Sequence, residues 1–213
     1  MGTFILTSMF QNGFSDIIAE QLQKRIKTRN KFAFVASEFE KTHEKTDNYF
    51  TFFLNMFEEK GIHFKEAYVV DGRMSLEKAQ SAVAQADVVW LSGGNAPAQR
   101  RYFQKYGLEN LIREHSGVII GMSAGAINMA DTSIYTLTCG HSVQAIRKGL
   151  GCVDITVEPH FKLSNNPEEL LELSEEYTIY GLCDKSAIIC TENTIEFYGE
   201  VYKISAGQLQ KMT

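Results

Sequence analysis

The run Gly121-Met122-Ser123-Ala124-Gly125 has the G-x-S-x-G spacing of a nucleophile elbow. It stands between the apolar run Val118-Ile119-Ile120 and the helix-forming run Ala126 to Ala130. Strand, sharp turn and helix is the context in which this pattern makes a serine reactive. The turn holds the serine in a strained conformation, and glycines two residues before and after it let neighbouring backbone approach closely. A helix N-terminus favours developing negative charge. The N–H of Ala124 can then face an oxyanion. The chemistry indicated is acyl transfer. The bland alternative is a small-residue turn that packs a helix on a strand.

A second run, Leu91-Ser92-Gly93-Gly94-Asn95, ends another apolar stretch. Consecutive glycines there expose backbone N–H groups that could complete an oxyanion hole; an ordinary turn is the alternative. The run lacks G-x-G-x-x-G and a Lys followed by Ser or Thr, so neither dinucleotide nor P-loop binding fits. A serine nucleophile also needs a base. Of the five histidines, His43 and His63 accompany an aromatic helix, His115 falls at a helix end and His141 in a polar stretch. His160 ends the alternating run Ile155 to Pro159, and a strand end is a rigid mount. The acid that orients the base could be Asp184, after Ile179 to Cys183, or Asp131, after the elbow helix. Glu158, two residues before His160, should share its strand face, but neighbouring side chains on one strand rarely meet tip to tip.

The elements that must hold these residues alternate. Strand-like runs at 4–8, 32–36, 65–70, 88–91 and 118–121 are separated by helical patterns at 14–27, 43–60 and 75–85, with Ser75 as an N-cap. Such repetition predicts a parallel-rich sheet with helices on both faces, three layers in all, with its site at the carboxyl ends of the strands. Short runs at 178–182, 187–190, 194–197 and 200–204 predict an antiparallel extension of that sheet. The aromatic helix, with Tyr49, Phe50, Phe52, Phe53 and Phe57, is expected to serve the core; a homodimer face is the alternative. With 213 residues and no linker or repeat, residues 1–213 are expected to form one domain.

The formal charge is -5, from 21 basic and 26 acidic residues, which argues against nucleic acid as a partner. No apolar run has the length of a membrane-spanning helix. The start carries no signal-peptide pattern, and the four cysteines have no zinc spacing. A cytoplasmic protein with reduced thiols, no metal and no cofactor is expected.

At these residues the chain resembles the serine peptidase family of peptidase E, an aspartyl dipeptidase, and cyanophycinase. The likeness runs through Ser92-Gly93-Gly94-Asn95, Gly121 to Ala126, Pro159-His160-Phe161 and Gly181-Leu182-Cys183-Asp184. It implies a class I glutamine-amidotransferase-like, flavodoxin-like fold and a short-peptide substrate. It implies Ser123 as nucleophile, His160 as base, and Gly94 and Ala124 as oxyanion donors, with Gly93 beside them. In the family the third member is an Asp after the elbow helix, where Thr138 stands here, or a Glu in the segment where Asp184 stands; that favours Asp184. The family also reads an acidic substrate side chain with an Arg after the histidine. Here that loop is Leu163-Ser164-Asn165-Asn166-Pro167, and no Arg follows Arg147. Asn95, Arg100, Arg147 and Arg101 are the remaining candidates for substrate contact. A serine exopeptidase of the dipeptidase kind is therefore expected; the alternatives are a cyanophycinase-like hydrolase and an inactive ligand-binding relative.

Overall fold

The computed structural model describes residues 2–164 and 167–213; Met1, Asn165 and Asn166 lie outside the described residues. In chain order the elements are β1 (Thr3–Thr7), α1 (Asp16–Arg25), β2 (Lys31–Val35), α2 (His43–Glu59), β3 (Glu66–Val70), α3 (Leu76–Gln85), β4 (Val88–Leu91), α4 (Ala96–Lys105), α5 (Glu109–Arg113), β5 (Val118–Met122) and α6 (Ala124–Met129). There follow β6 (Thr132–Tyr135), β7 (Ala145–Lys148), β8 (Thr156–Pro159), α7 (Glu168–Leu173), β9 (Ile179–Leu182), β10 (Ala187–Cys190), β11 (Ile195–Tyr198), β12 (Val201–Ser205) and β13 (Gln208–Lys211).

The main sheet has the order β11-β10-β1-β5-β4-β2-β3. Its five strands from β1 to β3 are parallel, and β10 and β11 join antiparallel on the β1 side. Helices cover both faces, so the interior positions of the central strands are apolar on both sides. Alternate residues divide between two cores. Phe32, Phe34, Val88 and Trp90 face α1 and α2, packing with Ile18, Leu22, Phe53 and Phe57. Ala33, Val35, Val89 and Leu91 join the other core, with Ala79, Val83, Phe103, Ile112 and Met129. Trp90 stacks on Phe53, with ring centroids 4.7 Å apart. Ser75 caps α3 as its sequence suggests, its hydroxyl accepting the Lys78 N–H at 3.3 Å.

Three expectations change. The last third does not simply extend the main sheet. Only β10 and β11 do so; β9 and β12 join β8 and β13 in a separate sheet of order β13-β12-β9-β8. Short alternating strands specify a half-buried face but not which sheet they complete. The aromatic helix α2 buries Phe53, Met56 and Phe57, while Tyr49 and Phe52 are exposed. In α1, Ile18 and Leu22 are buried but Ile17 is half exposed, because it falls off the inward stripe. The four cysteines are free thiols, with Cys152 and Cys190 buried. Among the described residues no helix is long and apolar enough to cross a membrane.

The elbow depends on close backbone packing. A Cβ at Gly125 would lie 2.3 Å from the Leu91 carbonyl oxygen, and one at Gly121 would lie 2.8 Å from the Ala126 nitrogen. Gly125→Ala must push α6 away from β4, and backbone cannot yield as a side-chain tip does. The substitution is expected to destabilise the protein by about 3 kcal/mol, the upper end of the usual cost of overpacking, read as a lowered midpoint in urea unfolding.

Candidate active site

The five parallel strands end on one side of the main sheet, and the chemistry-bearing residues collect there. β5 delivers Ser123, whose φ of 51° and ψ of −108° are those of a strained turn. Its N–H donates to the Thr7 carbonyl at 2.9 Å, tying the turn to β1. β8 delivers His160, also at a positive φ of 59°. Next in sequence, Phe161 packs on Gly181, where a Cβ would lie 2.7 Å from the ring. Its N–H donates to Leu182 at 3.0 Å. The ring of Phe161 thus needs a glycine at position 181, which ties the Pro-His-Phe segment to β9. Asp184 precedes β10, whose antiparallel pairing with β1 matches Thr7 with Ala187 and brings the acid back to the same rim.

The result is a chain of contacts. Asp184 Oδ1 lies 3.0 Å from His160 Nδ1, and His160 Nε2 lies 2.9 Å from Ser123 Oγ. With its proton on Nδ1, the imidazole donates to the acid and accepts from the serine. Partial burial disfavours ionisation of Asp184. Hydrogen bonds from Ser8 and His160, His160's charge and the Met9 N–H together outweigh that effect, so the carboxyl stays below its ordinary range. Asp131 stands apart: its backbone pairs with Val153 and Gly149, and Asp184 is the acid at hydrogen-bond distance from the imidazole. Glu158 does not share the rim with His160. It is buried, with both oxygens within 2.9 Å of Thr136 Oγ1, and the left-handed turn at His160 breaks the strand's alternation. Thr138 donates through N–H and hydroxyl to Glu169.

Ser8 is the residue that sequence reasoning missed. Its hydroxyl, fully buried, donates to Asp184 Oδ1 at 2.7 Å and accepts the His160 backbone N–H at 2.9 Å. The only signal was its place at the carboxyl end of a predicted strand, which many serines share.

Two clefts meet at Ser123. The first, a cavity of about 340 Å³, includes Ser37, Glu38, Lys45, Gly93, Gly94 and Met122 in its lining, with Ser123 and His160. The second includes Gly94, Asn95, Ala124, Cys139 and His141. Gly94 has φ 142°, and a Cβ there would lie 2.2 Å from Ser37 Oγ, so this position needs glycine. A Cβ on Gly93 would be 3.4 Å from Ser123 Cβ, which places that backbone beside the serine. Asn95 lines both clefts, while its side chain caps α4 by accepting the Ala98 N–H at 2.8 Å. Arg100 and Arg147 line neither cleft, and neither does Arg101. Arg100 pairs with Glu109 and reaches the Gly149 carbonyl; Arg147 is exposed on β7. Sequence gave these arginines no fixed place, and packing of α4 and the β6–β7 hairpin points them elsewhere. Of the other histidines, His43 lies 3.2 Å from Asp71, and His115 is buried, accepting the Gly117 N–H.

Glu158 is distinctive in charge. Burial pushes its carboxyl up to about 8; the Thr136 hydrogen bond opposes the rise and Glu169 adds to it. Between its ordinary value of 4.5 and about 8, the folded protein keeps a proton that the unfolded chain has released. The contribution of Glu158 to stability therefore falls as pH rises through that window. From about pH 5 to about pH 8, the Tm of Glu158→Gln is expected to decline less than that of the native protein. Equal slopes would show that the native carboxyl ionises normally.

Residues 4–198 match peptidase family S51. No curated protein matches the chain. Two solved structures share the fold. A peptidase from an acI-B1 Actinobacterium has a TM-score of 0.70 at 16% identity, covering 100% of this chain and 94% of its own. A protein assigned as peptidase E from Listeria monocytogenes EGD-e has a TM-score of 0.67 at 19% identity, covering 93% of this chain and 98% of its own. At such identities these likenesses concern the fold, and the family match along the sequence carries the class: the chain belongs to peptidase family S51 and is a serine peptidase.

Proposed function

We propose that the protein is an exopeptidase of the dipeptidase kind, cleaving short peptides through an acyl-enzyme on Ser123. The observation that carries this reading is the unbroken contact chain from Asp184 through His160 to Ser123 on a strained elbow. Ser123 Oγ attacks the scissile carbonyl while His160 Nε2 takes its proton. Asp184 holds the imidazole in the required tautomer and stabilises the imidazolium. The backbone N–H groups of Ala124 and of the Gly93-Gly94 turn face the oxyanion. His160 then returns the proton to the departing amine, and water repeats the sequence on the ester to release the acid and free Ser123. The 340 Å³ cavity beside Ser123 suits one or two residues rather than a folded chain. Since no arginine among the described residues lines either cleft, the reading does not include preference for an acidic first residue through a guanidinium.

Ser123→Ala is expected to lower kcat for dipeptide hydrolysis by at least about 10³-fold with the circular dichroism spectrum unchanged. Turnover retained by that variant would remove Ser123 from the role of nucleophile. Ser8→Ala should lower kcat by about 10- to 100-fold with KM little changed, the scale of a lost hydrogen bond to a charged group. Both parameters would be measured well below the variant's Tm, because the His160 N–H also loses its acceptor. An unchanged kcat would mean that Asp184 and His160 hold their places without Ser8.

A further inference from the structure

Glu38 follows β2 and lines the same cavity as Ser123 and His160. Its Oε1 accepts three hydrogen bonds: from the Glu40 N–H at 2.9 Å, the Lys41 N–H at 3.2 Å and the Tyr102 hydroxyl at 2.7 Å. No described residue donates to Oε2. Burial disfavours the charge, but the three hydrogen bonds and nearby Lys41 together outweigh it and hold the carboxyl below its ordinary range. A half-buried carboxylate is thus fixed by one oxygen and leaves the other with its acceptor capacity. Apolar side chains of Phe34, Phe53 and Met122 line the same cavity. The other charged side chain there, Lys45, is exposed and has its Nζ 5.7 Å from the Tyr49 ring centroid. The described ion pairs do not join it to Glu38. An exposed lysine is a mobile, solvated charge, whereas Glu38 is held in place before any ligand arrives, so ordering it costs a ligand little.

We propose that Glu38 is a specificity-determining residue that receives a cationic group on the first residue of a short peptide whose carbonyl faces Ser123. This rests on the exopeptidase reading for what happens at Ser123, but the binding step is separable from it. The cation has two sources. A free N-terminal ammonium would make Glu38 the group that restricts the enzyme to chain ends. The side chain of Lys or Arg would make it a reader of basic residues, with Phe34 and Met122 against the methylene stem.

The test is binding by calorimetry in a Ser123→Ala background, where no ligand is consumed. The probes are Leu-Ala, N-acetyl-Leu-Ala and N-acetyl-Lys-Ala. Glu38→Gln keeps an oxygen for the three donors and removes the charge. It is expected to weaken binding of the cation-bearing probe by about 10- to 100-fold, the scale of a charge-assisted hydrogen bond, and to leave N-acetyl-Leu-Ala unchanged. Weakening of Leu-Ala identifies the ammonium as the source; weakening of N-acetyl-Lys-Ala identifies the side chain. Equal effects on all three probes, no effect on any, or no binding of any probe by the parent would overturn the proposal. Failure of the exopeptidase reading would appear elsewhere, as undiminished hydrolysis when Ser123→Ala is compared with the native enzyme.

Discussion

The antiparallel pairing of β10 with β1 is the constraint on which the site depends. A purely parallel sheet would send its next strand back into the rim from below, with only its carboxyl end near Ser123. Because β10 runs the other way, the residues before it lie on the rim, and Asp184 arrives there from the opposite chain direction. The match of Thr7 with Ala187 sets how far it reaches. β1 also pairs with β5, Thr7 against Met122, so one central strand holds the register of both the acid and the serine. Ser8, the residue that follows β1, lies between them and bonds both Asp184 and the backbone of His160.

Ser123 and His160 both have positive φ without being glycine, for reasons that the packing makes plain. Ser123 turns from β5 into α6, and the turn is possible because Gly121 and Gly125 leave room where a Cβ would meet Met129 of the helix and Leu91 of β4. His160 turns away from β8 so that its ring leaves the strand's alternation and reaches Ser123. Each such conformation costs on the order of 1–3 kcal/mol. At His160 the cost is offset by contacts on either side: its own N–H on Ser8, and Phe161 seated on Gly181. The strain is therefore held by residues from β1 and β9, which are remote in sequence.

This explains what could be read from the sequence. Local patterns named Ser123, because strand, turn and helix are consecutive, and they located β1 to β5 with α1 to α3, because apolar periodicity is local. His160 was nameable as a polar residue at a strand end. Choosing Asp184 over Asp131 was beyond local reading, since the choice depends on β10 pairing with β1 across more than 170 residues. Family resemblance supplied that preference, and the 3.0 Å contact to His160 is its geometric counterpart. Ser8 and Glu38 were not singled out for the same reason: each matters only through partners that other strands and helices bring to it. The division of the last strands between two sheets was likewise invisible, because edge pairing leaves no mark in a four-residue alternation.

The acidic helix after His160 shows how such a reading can mislead about electrostatics. Glu168 and Glu169 open α7, and their charge alone would place a negative field after His160. Glu169 is instead committed to the protein. It accepts from the N–H groups of Leu137 and Thr138, from the Thr138 hydroxyl and from Gln144. Those bonds anchor the loop that carries Cys139 and His141 into the second cleft. Below it, Thr136 joins the same loop to Glu158 on the strand of His160. Glu169 thus acts on the site by ordering a wall, and its negative charge is largely spent on those donors. Electrostatic discrimination in the first cleft therefore falls to the charges that line it, Glu38 fixed by Tyr102 and the turn at Glu40 and Lys41, and Lys45 solvated at its edge.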